Sequence, residues 1–94
     1  MNIGDSIKQF RKKRGLSQKD LAKMVGISPN ALCSIEKNYS FPSRNTVKAI
    51  CKALDISAAL LLFASITDED VPKEKMQVFK ALQKPLIEAL EDRS

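Results

Sequence analysis

Residues 18–37 read QKDLAKMVGISPNALCSIEK, and this stretch decides the fold. Leu21, Ala22 and Val25 fall at i, i+1 and i+4, which draws one apolar stripe along a first short helix. Gly26 breaks the pattern, and glycine is the residue best suited to the left-handed conformation that ends a helix. Ile27 follows as an apolar anchor. Ser28 is a good N-cap, and Pro29 fits the first position of a second helix, where its missing N–H costs nothing. Leu32, Ile35 and Glu36 then fall at i, i+3 and i+4. A small residue at Ala22 lets the two helices cross closely.

Two short helices crossing at a tight turn, with anchors at Val25, Ile27, Leu32 and Ile35, make the pattern of a DNA-binding helix-turn-helix. The second helix is expected from Pro29 to Lys37, roughly 14 Å at 1.5 Å per residue. That length suits a major groove. Its outward positions are Pro29, Asn30, Cys33, Ser34 and Lys37. Asn30 is the strongest reader among them, because its amide can bond an adenine edge in two places. Ser34 can donate or accept, and Pro29 and Ala31 offer apolar contact only. Lys37 and Asn38 are better placed for phosphate.

Composition narrows the alternatives. Ninety-four residues make one domain with an appendage, and few glycines, aromatics or β-branched runs speak against a β-sandwich. The chain has no His, so it lacks the commonest general base and metal ligand. There is no metal cluster, no Gly-rich phosphate loop and no nucleophile beside a base. The expectation is a protein with no cofactor, no metal and no catalytic residue, and not an enzyme. Cys33 and Cys51 stand apart without C-x-x-C spacing, which fits a reducing cytosol better than a disulfide framework. Cys33 reads as a small filler and Cys51 as core. No signal peptide opens the chain, and the longest apolar run, Ala58 to Ala64, is too short for a bilayer. The expected location is the cytoplasm, on the nucleoid and away from membrane. Residues 1–55 carry 11 Lys and Arg against 4 Asp and Glu, whereas residues 56–94 carry 5 against 7. A basic front half suits a polyanion.

Taken in order, the chain opens with a helix near Ile3 whose inward face is Ile7 and Phe10, ending at Gly15. Lys8, Arg11, Lys12, Lys13 and Arg14 make a basic cluster on it, mostly toward solvent and phosphate. Ser17 caps the next helix, with Asp20 three residues on, a variant of the capping box. A helix start at Gln18 favours an anion. After Asn38, a candidate left-handed cap, Phe41 is expected to fold back on the core. Ser43 caps a fourth helix whose first turn holds Arg44, Asn45 and Thr46, a second phosphate clamp. Val47, Ile50, Cys51 and Leu54 form its buried stripe. A fifth helix begins at Ile56 and Ser57 and is apolar almost all round, so it needs cover on more than one side. Thr67 to Asp70 form an acidic connector, and Pro72 opens a last helix that Pro85 kinks or splits.

The segments IKQFRKKRGLSQKDLA, ISPNALCSIEKN and LDIS resemble the lambda-repressor and Cro-like helix-turn-helix proteins, the XRE family, over roughly residues 3 to 63. The resemblance implies an all-α fold, with a five-helix lambda-repressor-like DNA-binding domain at 1–66. Residues 67–94 then form an acidic connector and a C-terminal amphipathic helix. It implies base-facing places at Ser28, Pro29, Asn30 and Ser34. It sets Gln18 against a DNA phosphate and the 38–46 loop and helix start along the backbone, so that the phosphate set is Gln18, Lys37, Asn38, Tyr39, Arg44, Asn45 and Thr46. It also implies an ion pair between Arg11 and Glu36. The chain departs from relatives with two Gln on the reading helix and an Asn–Gly turn after it, so their sequence preference does not transfer.

The function expected is sequence-specific regulation of transcription, as a repressor on double-stranded DNA. Useful specificity calls for a homodimer on a palindromic operator. Its candidate surfaces are Leu62, Phe63 and Ile66, and the stripe Met76, Phe79, Leu82, Leu86 and Leu90. The alternative is the antitoxin of a toxin–antitoxin pair, whose C-terminal segment would bind the toxin protein.

Overall fold

Serine starts four of the helices. In the computed structural model, which describes residues 1–91, the hydroxyls of Ser17, Ser28, Ser43 and Ser57 each accept the backbone N–H three residues on, at 3.0, 3.0, 3.2 and 3.0 Å. Each such cap is worth about 1 kcal/mol. These caps open α2 (Gln18–Val25), α3 (Pro29–Glu36), α4 (Arg44–Leu54) and α5 (Ala58–Ala64). Helix α1 (Ile3–Lys13) precedes them and α6 (Met76–Glu91) follows. At Ser17 the box closes both ways, since its own N–H donates to Asp20 Oδ2 at 3.4 Å. The described residues hold helices and no strand, an all-α fold.

The turn between α2 and α3 is the one expected. Gly26 sits at φ +84°, and its N–H and that of Ile27 both donate to the Ala22 carbonyl at 2.9 and 3.0 Å. Ala22 is fully buried at the crossing. Around it Ile7, Leu21, Leu32, Ile50, Leu54, Leu60 and Leu61 are sealed from solvent, so the first five helices each place a residue in one core. Helix α1 approaches the end of α3 most closely at Gly4. A Cβ there would meet the Ile35 carbonyl at 2.2 Å and that of Glu36 at 2.9 Å.

Beyond α5 the chain departs from the sequence reading. Two short 3-10 turns, Asp68–Asp70 and Lys73–Lys75, lead into α6, so the α-helix proper starts at Met76 rather than at Pro72. The Thr67 N–H bonds the Asp70 carboxylate at 2.8 Å, a bond that holds this carboxyl below its usual range. Helix α6 runs through Pro85 without a split. Proline removes one helix donor, the one that would reach the Ala81 carbonyl, and Pro85 and Ala81 are both exposed residues.

Helix α6 packs along α5: Phe79 meets Phe63 with ring centroids 5.9 Å apart, and Ile87 rests on the core. Met76 is half-buried too. Val78, Leu82, Leu86 and Leu90, at successive i+4 positions, remain 58, 51, 43 and 39 % exposed, and Leu62 on α5 is 41 % exposed. The expected stripe is thus divided. Met76 and Phe79 turn toward their own chain, Leu82 and Leu86 turn outward, and Leu90 lines a cavity against Phe10 and Leu60. Residues 92–94 of the expected tail lie outside the described residues. No helix among those described is long and apolar enough to cross a membrane.

Replacing Gly4 by Ala should push α1 off the end of α3, because the atoms in the way are backbone carbonyls that cannot rotate aside. The expected loss is about 1–3 kcal/mol, the usual cost of overpacking, read as a lower midpoint in denaturant.

Candidate nucleic-acid interface

Helix α3 is held on one side and bare on the other. Leu32, Ile35 and Glu36 face inward, while Ser28, Pro29, Asn30 and Ala31 are exposed at its N-terminal half. Asn30 makes no side-chain hydrogen bond among the described residues, so its amide is free to pair with an outside edge. The Ser28 oxygen is occupied by the Ala31 N–H, which leaves its own proton to donate. Ser34 and Cys33 are half-buried on the flank.

What holds α3 is a buried charge. The Glu36 residue is 4 % exposed and Arg11 is 7 %. Arg11 Nε donates to Glu36 Oε2 at 2.7 Å and Nη2 to Oε1 at 3.1 Å, a fork on a carboxylate. The remaining arm, Nη1, donates to the Leu16 carbonyl at 2.8 Å. Gln18 Nε2 donates to Glu36 Oε1 at 2.9 Å. The expected Gln18 amide therefore has one N–H committed to Glu36. Its second N–H is left at the start of α2.

Two sequence expectations need correction here, at Arg14 and Phe41, and the exposed Asn38 amide is partly committed to the fold. Its Oδ1 accepts the Gly4 N–H at 3.0 Å and its Nδ2 donates to Asp5 Oδ1 at 3.3 Å, which ties the end of α3 to the start of α1. The left-handed backbone at Asn38, φ 61°, turns its amide back to that place. Arg14 does not join a phosphate-facing cluster. Its Nε and Nη2 donate to the Leu54 and Asp55 carbonyls at 2.7 and 3.2 Å, satisfying the orphan carbonyls at the end of α4. Lys13 turns the same way, over the Phe10 ring at 5.5 Å and 3.9 Å from Glu91. Phe41 does not fold back on the core. It is 68 % exposed, and Pro42 beside it is buried instead.

The flank beyond α3 is rich in exposed groups. Tyr39 is 80 % exposed, with the Lys37 ammonium 5.9 Å from its ring centroid. Arg44 and Asn45 are exposed at the start of α4. Thr46 is half-buried and takes the Ser43 hydroxyl at 2.9 Å. Lys8 and Lys12 of α1 and Lys19 and Lys23 of α2 are exposed as well. Cys51 is buried, and desolvation pushes its thiol up, away from the reactive thiolate. Ser40 and the exposed Phe41 were not legible as parts of this face. Serines six apart across a helix end carry no periodic signal, and an aromatic in a loop reads as core.

A five-helix domain that presents the second helix of a helix-turn-helix, bare at its N-terminal half, defines a helix-turn-helix DNA-binding module. The helix-turn-helix family model matches residues 7–61, and the chain belongs to that family, the lambda-repressor-like or XRE regulators. It is 29 % identical over 96 residues to the immunity repressor protein of Bacillus phage phi105, which covers 89 % of this chain and 67 % of that one. It is 39 % identical over 61 residues to the transcriptional regulator SinR of Bacillus subtilis, 64 % of this chain and 55 % of SinR. The crystal structure of SinR, described as the master regulator for biofilm formation in complex with DNA, superposes with a TM-score of 0.61 at 39 % identity. It covers 64 % of this chain and 97 % of that one. The chain thus spans two thirds of the phage repressor and about half of SinR.

Glu36→Ala should strand the Arg11 guanidinium in the interior and cost about 3–5 kcal/mol, the penalty for breaking a buried pair from one side. Replacing Arg11 and Glu36 together by Met and Leu should cost much less. Urea unfolding of the three proteins measures this. Equal losses in the single and double variants would contradict a paired charge.

Proposed function

We propose that the chain is a sequence-specific transcriptional regulator acting as a repressor, which lays α3 in the major groove of double-stranded DNA. Ser28, Pro29, Asn30 and Ser34 face base edges. Gln18, Lys37, Asn38, Tyr39, Arg44, Asn45 and Thr46 lie along phosphates. The observation that carries this is the bare N-terminal half of α3, with an unpaired Asn30 amide, on a face flanked by exposed Lys and Arg. The positive front half supplies the sequence-independent attraction to a polyanion. The repressor sense rests on the likeness to the phage immunity repressor.

The protein works as a homodimer. One helix reads only a few base pairs, and two of them about 34 Å apart read a palindrome. The exposed row Val78, Leu82, Leu86 and Leu90 and the exposed Leu62 support a second copy on α6 and α5. Phe63, Ile66, Met76 and Phe79, half-buried against their own chain, shape that surface from beneath.

Selection of binding sites from random DNA tests the reading as a whole, and recovery of no enriched sequence would end it. Asn30→Ala should lose about 1–3 kcal/mol at one base pair of the selected site and leave fold stability unchanged. Lys37→Ala should weaken every sequence alike and lower the salt slope by about one unit.

For the dimer, Leu82→Asp with Leu86→Asp spares Ile87, which the core needs. Sedimentation at micromolar concentration should show a dimer for the natural chain and a folded monomer for this variant. A monomer for both would remove the dimer. Co-purification with an unrelated small protein in place of a second copy would favour the antitoxin reading.

A further inference from the structure

Ser40 stands outside every role given so far, yet the loop that carries it is fastened to a single residue of the reading helix. The N–H groups of Tyr39 and Ser40 both donate to the Ser34 carbonyl, at 3.0 and 3.4 Å. The Ser40 and Ser34 hydroxyls are hydrogen-bonded to each other at 3.2 Å. Backbone thus holds Ser40 in place, and its side chain reaches the one serine within α3 that flanks the bare face. We infer that Ser40 determines specificity through Ser34, as a positioning residue that sets the rotamer of that hydroxyl. The inference rests on the reading that α3 lies in the groove with Ser34 toward the bases.

The chemistry follows from what a hydroxyl can do. It has one proton and two lone pairs. It rotates to suit its partners, so a lone serine serves a donor or an acceptor edge about equally. The bond to Ser40 takes up either a lone pair or the proton of the Ser34 hydroxyl and fixes its rotamer. Ser34 then offers a base edge in the major groove one arrangement instead of several, and discriminates among edges that a free hydroxyl would treat alike.

Site selection with the natural chain, Ser34→Ala, Ser40→Ala, the double variant and Ser40→Thr tests this. The natural chain should show a base preference at one position of the half-site that Ser34→Ala relaxes. Ser40→Ala should relax that preference roughly fivefold, as loss of one neutral hydrogen bond does, at the same position as Ser34→Ala. The double variant should lose no more than Ser34→Ala alone. Ser40→Thr, which keeps the hydroxyl, should keep the preference. Melting should be alike in all, because Ser40 is exposed. A uniform loss of affinity in Ser40→Ala, effects at different positions, or effects that multiply would each overturn the coupling. If the natural chain selects a sequence and Ser34→Ala does not alter it, this inference fails and the function stands. If the natural chain selects none, both fail.

Discussion

Glu36 is a charge buried to 4 % exposure, and the geometry around α3 follows from how that charge is satisfied. An ionised carboxylate out of water is costly unless it is both paired and hydrogen-bonded. The donors come from two other helices: two from Arg11 on α1 and one from Gln18 at the start of α2. Arg11 spends its remaining arm on Leu16, in the loop between them. A single carboxylate therefore fixes the start of α2 against the end of α3. With its C-terminal end held in this way, α3 keeps a fixed angle to α2, and its N-terminal half is presented. A reader mounted on rigid elements loses less order on binding than one on a mobile loop.

The second restraint lies on the opposite side of the same helix end. Asn38 binds Gly4 and Asp5, and Gly4 has no Cβ because two carbonyls of α3 occupy its place. Ser34 meanwhile takes the returning loop through Tyr39 and Ser40. All three ties grip the C-terminal half of α3. The N-terminal half, Ser28 to Ala31, carries only its own cap and is exposed. The helix is thus clamped at one end and offered at the other. A mechanism that puts helix N-terminal residues onto base edges needs that division.

Much of this was legible in the sequence, for reasons that are local. Ser17, Ser28 and Ser43 announce helix starts because a hydroxyl reaches the N–H three residues on whatever the rest of the chain does. Gly26 marks its turn through its own backbone freedom. The Arg11 and Glu36 pair is 25 residues apart and was readable only through the family pattern, not from spacing. What was missed is tertiary. Asn38 and Arg14 look like surface polar groups, and only the fold brings Gly4 and the α4 carbonyls to them. Phe41 looks like core, but the buried site beside it is filled by Pro42. Apolar spacing in the last helix showed that it is amphipathic without showing which side meets α5.

That last ambiguity has a physical content. Met76, Phe79, Gln83 and Ile87 form the half-buried face of α6, and Val78, Leu82 and Leu86 form an exposed row beside it that drifts inward to Leu90. The two faces are neighbours on one helix, so spacings of three and four merge them into a single stripe. The inner face already covers α5, which is apolar nearly all round and had to be covered. The outer residues Val78 and Leu82 are each more than half exposed, so much of their apolar surface is not used by their own chain. Isolated exposed apolar residues are ordinary, but three at consecutive i+4 positions make a contiguous strip of the kind that marks an interaction surface. Burying that strip against a second copy would recover at the dimer level the apolar contact that the single chain leaves unused. It would also couple assembly to the fold, because the helix that bears the strip is the same one that shields α5.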